Sequence, residues 1–152
     1  MMDNNKLYFT LSQIFFNRSE ISHHDITNNI YTYENIENND NEMIIDCIED
    51  IELNYEKKNH LEKKKPHEVD KFRLKHNKND NTLTITSHGF IKSEMIFAPG
   101  GMTDFVHDSA LGKIHFILNT TELNINEHNI EITYDLYDKE NLLSKNKLVI
   151  NI

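Results

Sequence analysis

The sequence predicts an all-β protein made of one antiparallel sheet in a single domain. Apolar and polar side chains alternate along three consecutive stretches between Gly112 and Ile152, as expected where successive residues of a strand face opposite sides of a sheet. Short polar turns separate these stretches and recur along the chain, and no segment has a convincing amphipathic-helix pattern. We therefore expect about eight to ten strands in a sandwich or a closed barrel.

The C-terminal strands show the alternation most clearly. Asn129–Asp138 and Leu143–Ile152 are joined by the polar loop Lys139–Asn141, which predicts an antiparallel hairpin. Lys113–Leu118 alternates as well, and its apolar row shifts by one residue near Thr120-Thr121, which predicts a β-bulge. The apolar face of the hairpin consists of Ile130, Ile132, Tyr134, Leu136, Leu148, Ile150 and Ile152.

The N-terminal segment is predicted to form a second hairpin. Lys6–Asn17 is rich in aromatic and β-branched residues, which favours a strand. Arg18–Asp25 is interpreted as a polar turn that leads into a second strand, Ile26–Glu34. Tyr31 and Tyr33 share one face of that strand.

Two segments before the middle of the chain are harder to assign. Glu42–Glu56 matches a helical stripe through Ile44, Ile48 and Ile51, and it matches a strand in its second half. We favour a strand there. Lys57–His67 is rich in lysine and poor in apolar residues, so we expect a solvated, mobile loop rather than a lipid-binding or nucleic-acid-binding segment.

The middle of the chain supplies the remaining strands. Pro99-Gly100-Gly101 and Asp108–Gly112 are predicted turns, and Gly89 marks a bulge or tight turn. Of the two architectures, a closed barrel has the advantage that it leaves no unpaired edge. The predicted strands are Val69–His76, Asn81–Ser87, Phe90–Phe97 and Met102–His107.

Length, net charge, cysteine content and the lack of long apolar runs limit which kinds of protein this chain can be. A chain of 152 residues suits one domain, residues 1–152, with a core that hides roughly 70% of the unfolded surface. The net charge of −9 argues against a nucleic-acid partner. The single Cys47 excludes an internal disulfide, and no signal-peptide pattern precedes the first strand, so we expect a cytoplasmic protein. No apolar run reaches about 20 residues, so we expect no membrane span.

Three segments, Thr82–Phe97, Asp104–Ile125 and Ile130–Ile152, follow one another in a characteristic order, and the last contains the motif Tyr134-Asp135-Leu136. This order of motifs resembles the YwiB-like family of bacterial proteins, a domain of unknown function (DUF1934 type). The sequence departs from the family where His88 replaces the usual arginine or serine. The resemblance implies a lipocalin-like, calycin-type β-barrel, and it leaves the function open because the family has no settled activity.

Sequence motifs for catalysis or metal binding are missing. The nine histidines show none of the spacings typical of zinc sites. Cys47 lies in an apolar run, where a thiol is more often inert than activated. We therefore expect no catalytic residue, no metal and no cofactor.

Six side chains are candidates for contacting a ligand in the barrel or at its mouth. Arg73 and Glu94 are polar residues that either orient a ligand or face water, and alternation favours exposure for Glu94. His107 and His115 flank the predicted turn at Asp108–Gly112. The full set is Arg73, His88, Glu94, His107, His115 and Tyr134.

Two functional hypotheses follow. In the first, the protein is not an enzyme and binds a small, partly apolar ligand in the barrel interior or at its mouth. In the second, the barrel is solid and forms a homodimer or contacts another protein through an outer face bearing Tyr31, Tyr33 and Tyr137. A hydrolase that uses His107 and His115 ranks below both.

Overall fold

The fold is a closed barrel of ten antiparallel strands, which confirms the predicted all-β barrel. The computed structural model describes residues 5–57, 69–88, 92–109 and 112–152. Each strand pairs with its neighbours in sequence, and β1 pairs with β10 to close the barrel. The strands are β1 (Lys6–Asn17), β2 (Glu20–Asn38), β3 (Glu42–Glu49), β4 (Lys71–Asn77), β5 (Thr82–His88), β6 (Lys92–Phe97), β7 (Met102–Ser109), β8 (Gly112–Ile125), β9 (Asn129–Asp138) and β10 (Asn141–Asn151). One helix, α1 (Ile51–Lys57), follows β3.

The C-terminal strands form as predicted. The hairpin of β9 and β10 turns at Lys139-Glu140, and the apolar faces of both strands point into the barrel. The register between β8 and β9 shifts between Thr120 and Glu122, so the predicted bulge is present. Because the bulge adds one residue, it keeps Leu118 and Leu123 on the same inner face despite their odd spacing.

The first hairpin is tighter than predicted. Arg18–Asp25 is not a turn, because β2 already begins at Glu20 and runs for 19 residues. Only Arg18 and Ser19 turn the chain, with φ angles of 52° and 69°. Two consecutive residues with positive φ match the twist of the flanking strands, so a two-residue connection is sufficient.

The prediction of a strand in the second half of Glu42–Glu56 is wrong. The strand occupies the first half, and the second half is α1. Asp50 caps the start of the helix, because its carboxylate accepts a hydrogen bond from the Leu53 N–H at 3.0 Å. Asp is a favourable residue at this position because its oxygen pairs a backbone donor that lacks a partner within the helix. Of the predicted loop Lys57–His67, Lys57 ends α1 and residues 58–67 lie outside the described residues.

The α1 helix completes the hydrogen bonding of β2 beyond the end of β3. The Asn54 side-chain oxygen accepts from the Ile30 N–H at 2.8 Å, and its amide donates to the Ile30 carbonyl at 3.0 Å. The Asp50 N–H donates to the same carbonyl at 2.9 Å. The Asn54 side chain thus takes the place of a neighbouring strand at this point. Within the described residues, no helix has both the length and the apolar character needed to cross a bilayer.

The centre of the barrel is packed with apolar side chains. Tyr31 is only 4% exposed and lies 4.5 Å from the Phe9 ring and 5.2 Å from the Phe72 ring, measured between ring centroids. Tyr33 also packs against this core, so the proposed outer face bearing Tyr31 and Tyr33 does not exist. The fully buried aliphatic residues are Leu7, Ile45, Leu74, Leu83, Leu118, Ile130, Ile132 and Ile150.

The two ends of the barrel differ in their connections. Successive connections of an up-and-down barrel alternate between its ends. At one end, here called the cleft end, lie the β2–β3, β4–β5, β6–β7 and β8–β9 connections and Ile152. At the other, the helix end, lie α1 and the β1–β2 and β9–β10 turns.

Candidate functional site

An open cleft of about 500 Å³ occupies the cleft end of the barrel. Its apolar surface comes from the inner faces of β2, β3 and β8 and from the residue after β10. Its rim is polar. The apolar lining consists of Ile36, Met43, Ile45, Ile125 and Ile152, and the polar lining of Asn38, His76, Lys78, Asn126 and Glu127.

The rim of the cleft holds one lysine in a defined position. Lys78 Nζ donates hydrogen bonds to the Asn38 side-chain oxygen and, at 2.6 Å, to the Asn39 carbonyl. Among the described residues, no carboxylate lies within 4.0 Å of this ammonium group. His76 Nε2 lies 2.9 Å from Asn81 Oδ1. The rim can therefore offer a cation to an acceptor or anionic group of a ligand.

The cleft was not predicted from the sequence, because the predicted second strand ended at Glu34 and left out Ile36, one of the main residues of the cleft. The register of β2 against β3 shifts between Tyr33 and Asn35. Ile36 therefore lies opposite the inward-facing Ile45, on the same inner face as Tyr33 despite the odd spacing between them. It remains 56% exposed because it lies at the rim. The run of polar residues around it gave no sign of the bulge.

A second feature of the interior is a row of polar side chains on the inner wall, here called the polar row. It crosses four adjacent strands, because Thr120 lies opposite Tyr134, Tyr134 opposite Asn146, and Asn146 opposite Gln13. The Asn146 side chain accepts from Gln13 Nε2 at 3.0 Å and donates to Ser144 Oγ at 3.1 Å and to the Tyr134 carbonyl at 3.3 Å. Asn146 is thus fully paired.

Thr120, another member of the polar row, is not paired. Thr120 is 0% exposed, and its hydroxyl has no hydrogen-bond partner. The Tyr134 ring packs edge-on against Phe97, with 5.1 Å between the ring centroids. Burial raises the pKa of Tyr134 well above its usual value. An unpaired buried hydroxyl costs about 1–3 kcal/mol, so the polar row is an energetic exception in this interior.

Four of the six predicted ligand-binding residues lie on the outside of the barrel. Arg73, His88, Glu94 and His115 are exposed. Arg73 forms a two-pronged ion pair with Asp46 on the neighbouring strand, at 2.8 and 3.0 Å. This hydrogen bonding lowers the pKa of Asp46 despite the opposing effect of partial burial. These four side chains therefore do not converge on an interior ligand.

The other two, His107 and Tyr134, face the interior. His107 lies opposite Ile114, whereas His115 lies opposite Val106, so the two histidines occupy opposite faces of the β7–β8 hairpin. Neighbouring positions on opposite faces cannot bind one ion or act on one substrate. In the described ranges, no group of three or more His, Cys, Asp or Glu side chains could hold a metal ion.

Cys47 lies in the packed centre and is fully buried. Burial raises the pKa of its thiol to about 12. Because the thiolate is the reactive form, a thiol in this environment is a poor nucleophile at neutral pH.

Comparison with solved structures supports the fold. The crystal structure of ywiB protein from Bacillus subtilis is similar, with a TM-score of 0.57 over 97% of this chain and 91% of that chain. At 12% sequence identity this likeness concerns the fold alone. No curated protein matches the sequence. A family model, described as a domain of unknown function (DUF1934), matches residues 30–150, a range that begins within β2 and ends in β10. The chain therefore belongs to the DUF1934 family.

Proposed function

We propose that this protein is a non-enzymatic binding protein that holds one small, partly apolar molecule in the cleft at the cleft end. The observation that carries the proposal is the cleft of about 500 Å³ with an apolar lining and a few polar groups at its rim. Ligand pockets typically have volumes of roughly 300–1,000 Å³ and this same division between apolar walls and a small number of polar groups.

The lining indicates how such a molecule would lie. Its apolar part would contact Met43, Ile45 and Ile125 on the inner wall. Its polar part would lie at the rim, within reach of Lys78 and His76. In this arrangement the apolar contacts supply most of the affinity, and the rim sets the orientation.

The proposal includes a cytoplasmic location and excludes nucleic acid and membranes as partners. The chain carries 25 acidic against 16 basic residues, which disfavours association with phosphate backbones. Its one cysteine is free and buried, as suits a reducing compartment.

Native mass spectrometry of the protein purified from its host tests the proposal directly. We expect a retained small molecule, and we expect Ile36→Trp to abolish its retention because the larger ring covers the rim. Ile26→Trp is the matched control, since Ile26 is a 60% exposed isoleucine on the outer face of the same strand. A ligand retained equally by wild type and Ile36→Trp would exclude the cleft as its site.

The second candidate function is homodimer formation through the hairpin of β1 and β2. Ile21 and Ile26 are 68% and 60% exposed on this hairpin, and exposed apolar groups of this kind favour association. Sedimentation velocity checks it: a dimer that Ile21→Glu plus Ile26→Glu converts to a monomer supports this function. A wild-type monomer at all accessible concentrations excludes it.

A further inference from the structure

The polar row interrupts a wall that is otherwise mostly apolar. On one side of it, Leu123, Ile132 and Leu148 follow one another across β8, β9 and β10. On the other side, Leu118 lies opposite Leu136. A buried hydroxyl between apolar rows adds nothing to packing that a methyl group would not also supply, so Thr120 is not explained by the stability of the fold.

Three hydrogen-bonding groups of the polar row are available to a further molecule. Thr120 Oγ1 and the Tyr134 hydroxyl can each donate and accept, and Gln13 Oε1 can accept. Of the three, Thr120 Oγ1 is buried without a hydrogen-bond partner. Gln13 donates to Asn146 through its amide Nε2, which leaves its Oε1 to accept from a ligand.

We infer that the polar row binds the hydroxyl group of an uncharged, otherwise apolar molecule that enters from the helix end. A hydroxyl both donates and accepts, which matches the mixture of donors and acceptors in the row. Thr120, Tyr134, Asn146 and Gln13 are all neutral side chains. A charged group there would lose its hydration without gaining a counter-ion, so a carboxylate is disfavoured.

The helix end offers access to the row. Gln13, Leu136, Phe116 and His107 all face inward near this end and are only half-buried, so solvent reaches the inner wall there. Beside the row on this side, Leu118 and Ser144 are fully buried, so a ligand would reach the row along the half-buried Gln13 and Leu136. On the other side, the fully buried Leu7, Ile130 and Ile150 separate the row from the cleft. The inference therefore concerns a site distinct from the cleft and does not depend on the proposed function.

Calorimetric titration of the full chain with 1-octanol and with octanoate tests the inference, because the two probes differ only in the head group. We expect octanol to bind at least about tenfold more tightly than octanoate. Thr120→Val removes the hydroxyl and keeps the shape of the side chain. It should weaken octanol binding about five- to tenfold, as expected for one hydrogen bond, and Thr120→Ser should restore the affinity to within about twofold.

Two controls make the result specific. Thr84→Val removes a hydroxyl from the outer face of β5 and should leave octanol binding unchanged. The melting temperature of ligand-free Thr120→Val should equal or exceed that of wild type, because the lost hydroxyl had no partner.

Equal octanol affinity of wild type and Thr120→Val, or equal affinity for octanol and octanoate, would overturn the inference. Loss of octanol binding in Ile36→Trp together with full binding in Thr120→Val would assign the probe to the cleft instead.

Discussion

The two ends of this barrel are built from the same strands but are filled differently. Toward the cleft end, the inward-facing Leu7, Ile130 and Ile150 are fully buried, and the cleft lies beyond them. Toward the helix end, the inward-facing Gln13, Phe116 and Leu136 are half-buried, and the polar row crosses the wall. This difference shows that an inward-facing side chain is not always a buried one. The alternation of side chains along a strand determines which face a residue lies on, but not how closely other side chains pack around it.

The largest expected effect comes from substituting two residues on the same face of β10. Ile150 is fully buried toward the cleft end, and Leu148 is half-buried one inward position closer to the helix end. We expect Ile150→Ala to lower the free energy of unfolding by about 4 kcal/mol and Leu148→Ala by about 2 kcal/mol, because a partly exposed site leaves a smaller cavity. Urea unfolding measures both. Equal losses would mean that the two ends are equally packed.

A second test concerns α1, whose Asn54 side chain pairs the backbone of Ile30 in β2. Asn54→Ala removes both side-chain hydrogen bonds to the Ile30 backbone, and Ile30 is buried. We expect a loss of about 2 kcal/mol in the free energy of unfolding, because a buried backbone N–H is left without its partner. Asn124→Ala on the exposed face of β8 is the matched control and should change stability little. Equal effects of the two substitutions would show that α1 does not support β2.

A third test measures how the stability contributed by Asp50, also at the helix end, depends on pH. Burial raises the pKa of Asp50, but hydrogen bonds from the Leu53 N–H, from Lys6 and from Thr32 outweigh it, so the net pKa is lowered. The ionised form therefore stabilises the fold above the unfolded-state pKa, near 3.9, and this contribution is lost as pH falls through the folded-state pKa. We expect Asp50→Asn to cost about 1 kcal/mol at pH 7, and the difference from wild type to shrink below about pH 4. A difference that is constant from pH 7 to pH 3 would contradict this.

The smallest expected effect is on the outer surface of the barrel. The Arg73 side chain is 52% exposed in its ion pair with Asp46, and solvent screens such pairs. We expect Arg73→Ala to lower the free energy of unfolding by about 0.5 kcal/mol or less and to leave binding of any interior ligand unchanged. A marked loss of binding would return Arg73 to the candidate site.

The residues of the candidate sites were harder to predict than the strands. Alternation correctly placed Tyr134 on the apolar inner face, whereas the face of His107 was not predicted. Arg73 and Glu94 were candidates for an interior role, and the structure places both on the outside of the barrel. The cleft depends on Ile36, whose face is reversed by a bulge, and the polar row depends on the stagger between four strands. Neither the bulge in β2 nor the stagger leaves a clear local pattern in the sequence.

The sequence by itself determined the strands, the β9–β10 hairpin and the bulge near Thr120, because side-chain alternation and turn residues act over a few neighbouring positions. Only the tertiary structure decided where Asp50 starts a helix, which inward side chains are packed, and which polar groups lie together. These properties depend on pairing between strands distant in sequence: Gln13 meets Asn146 across 133 residues only because β1 and β10 close the barrel.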